Sequence, residues 1–118
     1  MSARHKQECS VPPVLVALDP VVQAFASELR ARLRHRIRRI VLFGSRARGE
    51  ARDDSDYDIL VVVDQRSPEV RPLILEIETA LLDDYGALVA TVLRTEAEWD
   101  RAQGLPLARN VALEGITV

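Results

Sequence analysis

Asp56 and Asp58 stand two residues apart at the head of an apolar run, Ile59-Leu60-Val61-Val62-Val63. On a strand, residues i and i+2 point to the same face, with alpha carbons about 6.6 Å apart. Carboxylates held that way repel each other, and one or two hard cations relieve the repulsion through oxygen ligands. Just upstream, the apolar run Ile40-Val41-Leu42-Phe43 ends in Gly44-Ser45-Arg46-Ala47-Arg48-Gly49. A glycine-serine turn at a strand end offers backbone N–H groups and a hydroxyl to a phosphate. Glycine suits position 44 because a β-carbon would crowd either the ligand or a positive-φ turn. Arg46 and Arg48 are the nearest cations. Taken alone, Ser55-Asp56-Tyr57-Asp58 reads as a turn entering a strand, with Ser55 and Asp56 capping backbone groups. Its position one short loop after Phe43-Gly44-Ser45 favours a site for a metal-bound nucleotide.

This combination resembles the signature of the nucleotidyltransferase superfamily typified by DNA polymerase beta. It is most similar to the minimal nucleotidyltransferase branch, whose pattern is GS-x-x-x-G, a polar loop, SD-x-D and an apolar strand. The match spans about residues 38–64 in detail, and the Glu114-Gly115-Ile116 ending also fits the branch. The resemblance implies that Ser45 binds the β- and γ-phosphates, that Gly44 admits the ligand close to the backbone, and that Asp56 and Asp58 hold Mg²⁺. It implies one of Arg46 and Arg48 on the triphosphate of ATP or another nucleotide, and the other in a salt bridge or on the surface. Transfer would place a nucleoside monophosphate, AMP in the first instance, on an acceptor hydroxyl and release pyrophosphate.

One departure bears on catalysis. Active members of the superfamily carry a third carboxylate on the third strand, which here reads Ala87-Leu88-Val89-Ala90-Thr91-Val92-Leu93, without an acid. Asp83 and Asp84 fall before it, across Gly86, as a helix-end turn, and Glu76 and Glu78 are expected on a solvated helix face. Small proteins of this branch are paired with a helical HEPN-type protein in toxin–antitoxin modules, where the transferase acts as antitoxin. The implied partner is therefore such a protein, or a further copy of this chain. The alternative is a catalytically lapsed domain that neutralises a partner by binding alone. A small-molecule transferase fits less well, because 118 residues leave no room for a separate substrate domain.

To hold these groups the chain needs strands on either side of the glycine turn and helices to cover them. Asp19-Pro20 is a helix start, and Val22, Phe25, Leu29 and Leu33 recur at helical spacing over about 20–35. The first strand is expected at about 39–43, with a short helix opening at Gly44-Ser45 and running through Arg48. A polar loop, 50–54, leads to a second strand at about 57–64. Ser67-Pro68 reads as a second helix start. Val70, Leu73, Ile74, Ile77, Leu81 and Leu82 mark a long helix whose regular part Pro72 is expected to delay by a turn. Tyr85-Gly86 ends it before the third strand, 87–93. Thr95-Glu96-Ala97-Glu98 has capping-box form and starts a helix around Trp99, which either packs or serves a partner surface. A last helical stretch, 107–113, precedes Ile116-Thr117-Val118. The order predicts an α/β (α+β) fold of the polymerase-beta-like kind, a small mixed sheet of three to four strands flanked by helices.

Composition bounds the rest. A chain of 118 residues with 47% hydrophobic and 29% charged residues is one small globular domain. We place it at 14–118, behind a flexible polar leader over 1–13 that ends in Pro12-Pro13. Cys9, a lone cysteine in that leader, fits a reducing cytoplasm. No apolar run is long enough to span a bilayer or serve as a signal peptide. His5 and His35 are too isolated for a metal site. Residues 28–52 carry nine arginines against Glu28 and Glu50, whereas residues 53–118 carry five against fourteen acids. The basic stretch, including Arg30, Arg32, Arg34, Arg36 and Arg38, reads as a solvated face, the alternative being a surface that docks an acidic partner or an RNA. With 4% aromatic residues there is no stacking platform for nucleic acid.

Overall fold

The computed structural model describes residues 19–50 and 56–118. The expected leader with Cys9 and His5, the expected polar loop beyond Glu50, and Ser55 lie outside the described residues. Asp19 caps helix α1 (Pro20–Leu33), its Oδ1 accepting from the Val21 N–H at 2.8 Å. Pro20 costs nothing there, because the first helical N–H groups have no partner in the helix. The helix stops at Leu33 rather than 35, where Arg34 takes a positive φ of 51° and Arg34–Arg36 tighten into a 3₁₀ turn.

Strand β1 (Ile37–Phe43) follows, then β2 (Tyr57–Val63), helix α2 (Val70–Tyr85), strand β3 (Val89–Thr95), helices α3 (Glu96–Arg101) and α4 (Pro106–Glu114), and strand β4 (Ile116–Thr117). The four strands form one mixed sheet in the order β3-β2-β1-β4. β1 is antiparallel to both β2 and β4, while β2 and β3 are parallel, joined by the α2 crossover. The expected sheet of three to four strands is thus found with four.

Period-2 alternation along the strands divides the core into two layers. Ile40, Leu42, Ile59, Val61 and Val63 pack with Phe25, Leu29, Ile74 and Ile77 of α1 and α2. On the other face, Val41, Leu60 and Val62 pack with Trp99 of α3 and with Ala108 and Val111 of α4. Trp99 is 5% exposed, so it is a packing residue, and the partner-surface alternative is withdrawn.

Three local expectations are corrected. Residues 44–49 form turns and no helix: Arg48 N–H reaches the Gly44 carbonyl at 3.1 Å, but Glu50 N–H reaches back to Ser45, and the ladder does not propagate. Ser67 does not cap α2, whose first flanking residue is Glu69 with no side-chain cap; it is the Ser67 carbonyl that takes part, accepting the Val70 N–H at 3.3 Å. Pro72 does not delay α2, because it falls in the first turn, where its missing N–H is not needed. By contrast, the capping box forms as read: Glu98 N–H donates to Thr95 Oγ1 at 3.1 Å and Thr95 N–H to Glu98 Oε1 at 2.9 Å. The arginines of the basic stretch are mostly paired rather than simply solvated. Arg30 donates to the Val118 carbonyl, and Arg32, Arg36 and Arg38 face Glu76, Asp64 with Glu69, and Glu96.

Candidate active site

Antiparallel pairing of β1 with β2 sets Phe43 opposite Asp58, so the chain leaves β1 beside the aspartates. Gly44 turns there with φ +80°. A β-carbon on it would overlap Asp58 Oδ2 and lie 3.3 Å from Asp58 Cγ. Glycine is thus required twice, by the backbone angle and by the carboxylate lodged against it. Ala47 is buried in the larger core layer and anchors the turn. Ser45 is half-buried within it, its carbonyl holding Glu50 N–H at 3.0 Å. Asp56 is exposed just before β2, and Asp58 is half-buried two residues on. Burial raises the Asp58 pKa above the usual carboxylate range, and the Asp56 charge raises it further; Arg48 opposes this and Glu114 adds to it.

The arginines divide. Arg48 is ion-paired, Nε to Glu50 Oε1 at 2.6 Å and Nη1 to Glu114 Oε2 at 2.8 Å. Arg46 lies over the Tyr57 ring, 4.1 Å from its centroid, a cation–π contact. Tyr57 in turn donates its hydroxyl to Asp19 Oδ2 at 2.8 Å. Burial, followed by the bond to Asp19, pushes the phenol pKa up to about 12.

Two partners of the site were not reached from the sequence. Glu114, at the end of α4, accepts the Gly44 N–H on Oε1 at 3.0 Å while its Oε2 takes Arg48. Arg48 first, then the Gly44 N–H, holds its carboxyl below the usual range. Gly115 makes the delivery possible, since a β-carbon there would overlap the Val111 carbonyl and Val41 Cγ1. The chain then enters β4, with Ile116 opposite Leu42. The Glu114-Gly115-Ile116 ending was the available signal, but nothing local tied it to Gly44. Asp19 is the second such partner, legible as a helix cap but not as the acceptor for Tyr57.

On β3, Ala90 is in register with Asp58, so the strand brings a methyl group where a third carboxylate would stand. Asp83 and Asp84 are exposed in the last turn of α2, and Glu76 is exposed opposite Arg32. Glu78 departs from the solvated expectation: it is half-buried, and Thr91 Oγ1 donates to its Oε2 at 2.6 Å. Thr91 is one residue out of phase with Ala90, so Glu78 lies on the face away from Asp58. Among the described residues, no group of three or more His, Cys, Asp or Glu is arranged to hold a metal. No helix among them is long and apolar enough to cross a membrane.

A family model of the nucleotidyltransferase domain matches residues 22–116. The chain is 33% identical over 97 residues to the "Putative protein adenylyltransferase" of Methanocaldococcus jannaschii, covering 82% of this chain and 93% of that relative. Among solved structures, a "putative minimal nucleotidyltransferase" superposes with a TM-score of 0.57 at 30% identity, over 86% of this chain and 95% of the other. A toxin–antitoxin crystal structure with AMP-PNP shares the fold, with a TM-score of 0.58 at 24% identity over 80% of this chain and 69% of the other. The matched span runs from the first turn of α1 into β4 and takes in the glycine turn, both aspartates and Glu114, and the chain belongs to the nucleotidyltransferase family.

Proposed function

We propose that the chain transfers the nucleoside monophosphate of a Mg²⁺-bound nucleoside triphosphate, AMP from ATP in the first instance, to a hydroxyl of a partner protein. The observation that carries this reading is the Asp58 carboxylate lodged against Gly44 with Asp56 beside it. The donor set fits a hard cation: two neighbouring carboxylates, the Asp58 pKa raised first by burial and then by the Asp56 charge, next to a turn suited to a phosphate. Bound there, Mg²⁺ would neutralise charge on the phosphates and on the attacking and leaving oxygens. The residues of the chain bind and orient. Asp56 and Asp58 hold the metal, while Ser45 and the backbone around Gly44 hold the phosphates, with Arg46 or Arg48 the nearest cations. The acceptor oxygen bonds to the α-phosphorus, the bond from that phosphorus to the bridging oxygen breaks, and pyrophosphate leaves.

The acceptor's proton finds no carboxylate on β3 to take it. Without a general base, transfer is slower by about 10²–10⁴-fold unless the partner supplies one. Protein as acceptor is supported by the adenylyltransferase relative, and a protein partner by the toxin–antitoxin neighbour; that this partner is a helical HEPN-type toxin rests on the sequence resemblance alone. A second copy of the chain is the other candidate partner. Ala90 in register with Asp58 favours a second reading, an antitoxin that acts by binding alone.

ATP titration by calorimetry, with and without Mg²⁺, tests the first reading. Binding is expected only with Mg²⁺, and Asp56→Asn is expected to weaken it at least about tenfold with an unchanged melting temperature. An unaltered titration would remove the site assignment. Intact mass of a co-expressed partner then separates the readings: an added AMP means transfer, and protection without it means binding alone.

A further inference from the structure

The carboxyl ends of β2 and β3 lie at the opposite end of the sheet from Gly44, because β2 is antiparallel to β1 and parallel to β3. Their connections part there. β2 leads to α2 on the Phe25 face, and β3 leads to α3 on the Trp99 face. Neighbouring parallel strands whose connections leave to opposite faces open a crevice at their carboxyl ends, which is where open α/β sheets bind ligands. The crevice here is a cavity of about 520 Å³, within the range of small-molecule sites.

Its chemistry is specific. Val63, Val70 and Leu93 give it an apolar floor, and three guanidinium groups, Arg66, Arg71 and Arg94, line it. The one acid in its wall, Glu98, is already engaged by Arg66 and by the Thr95 N–H. Arg94 donates to the adjacent Leu93 carbonyl at 2.8 Å, and Arg71 is exposed and in no ion pair among the described residues. Helix α2 begins at the cavity with Val70, without a side-chain cap or an acid in its first turn. Glu69, the residue before it, gives its carboxylate to Arg36 at 3.0 Å. Like charges collected around an apolar floor are stabilised by an anion that also carries an apolar part.

We infer that this crevice is a second ligand site, taking a small organic phosphate of mononucleotide size without metal. The phosphate meets Arg71, Arg94 and the α2 N-terminus, and the organic part covers Val63 and Leu93. The site stands apart from the aspartates and does not depend on the transfer reaction.

The test is titration of the full isotope-labelled chain with AMP, inorganic phosphate and adenosine, in EDTA, followed by amide NMR. AMP is expected to shift residues 66–71 and 93–98 saturably, and to bind several-fold tighter than phosphate or adenosine. Arg71→Ala and Arg94→Ala are each expected to weaken AMP about tenfold. Arg71 is exposed on the surface, so its single variant retains the core and keeps the test readable if the Arg94 variant unfolds. Shifts confined to 44–49, no saturable shift, or an Arg71→Ala chain that binds AMP like the parent would overturn the proposal. So would AMP no tighter than inorganic phosphate.

Discussion

The two ends of the sheet carry opposite charge, and strand direction decides which residues gather where. At the Gly44 end, the antiparallel pairing of β1 with β2 brings Asp56, Asp58 and Glu50 around one glycine turn, and α4 delivers Glu114 to it. Its arginines are already engaged: Arg48 is held by two glutamates and Arg46 lies over Tyr57. Acid is the charge in excess. At the other end, a parallel pair needs a long crossover, and the two loops it leaves behind bring three arginines to one crevice with a single acid. On the proposed reading, the first end takes a phosphate together with a cation, whereas the second takes an anion alone. The two proposed sites are thus separated by the length of the sheet.

The sharpest way to break the first end is Gly44→Ala. The φ of +80° costs a residue with a β-carbon about 1–2 kcal/mol, which lowers the melting temperature by on the order of 5–10 °C. The overlap with Asp58 Oδ2 is relieved by rotating the carboxylate away, so recognition suffers more than folding. Mg²⁺-dependent ATP binding is expected to fall on the order of 100-fold, while AMP binding at the arginine crevice stays as it was. A variant with parental ATP affinity would show that Asp58 need not sit against the turn.

Much of this arrangement was legible because it is local. Asp19-Pro20, Thr95 with Glu98, and the apolar run Ile59 to Val63 each act over a few residues, and each formed as read. The absence of an acid from β3 was equally plain, although its meaning depends on a register that places Ala90 beside Asp58. What could not be read depends on distance along the chain or on competition between partners. Glu114 reaches Gly44 across 70 residues of sequence. Ser67 looked like a cap, yet the residue flanking the helix is Glu69, and it is the Ser67 carbonyl that meets the helix, at the Val70 N–H. Glu78 looked solvated until the β3 register brought Thr91 to it.

Tyr57→Phe probes how the acidic end is braced from below. The variant keeps the ring under Arg46 and removes only the bond to Asp19, a loss of about 1–2 kcal/mol. It should also remove a pH dependence. The folded phenol titrates at about 12 against an ordinary value of about 10. Its stabilising contribution is therefore complete below pH 10 and lost as pH rises through 12. Melting temperatures of parent and variant are expected to differ most near neutrality and to converge over that window. A constant difference would assign the effect to packing instead.

The smallest effect is expected at Glu114, the residue that keeps Arg48 away from the aspartates. Glu114→Gln leaves an oxygen for the Gly44 N–H and removes the charge that pairs with Arg48. The pair is solvent-exposed on the Arg48 side, so the melting temperature is expected to move by only about one or two degrees. Whatever stability it gives is present above the ordinary carboxylate range and lost as pH falls through the depressed Glu114 value. Asp58 is the better reporter. Glu114 raises its pKa and Arg48 lowers it, so removing the first and freeing the second act in the same direction. Carboxyl NMR titration of the metal-free chain should find Asp58 ionising at lower pH in the variant. An unmoved Asp58 would mean that Glu114 buttresses the turn without setting the charge of the site, and that the excess of acid at this end rests on Asp56 and Asp58 alone.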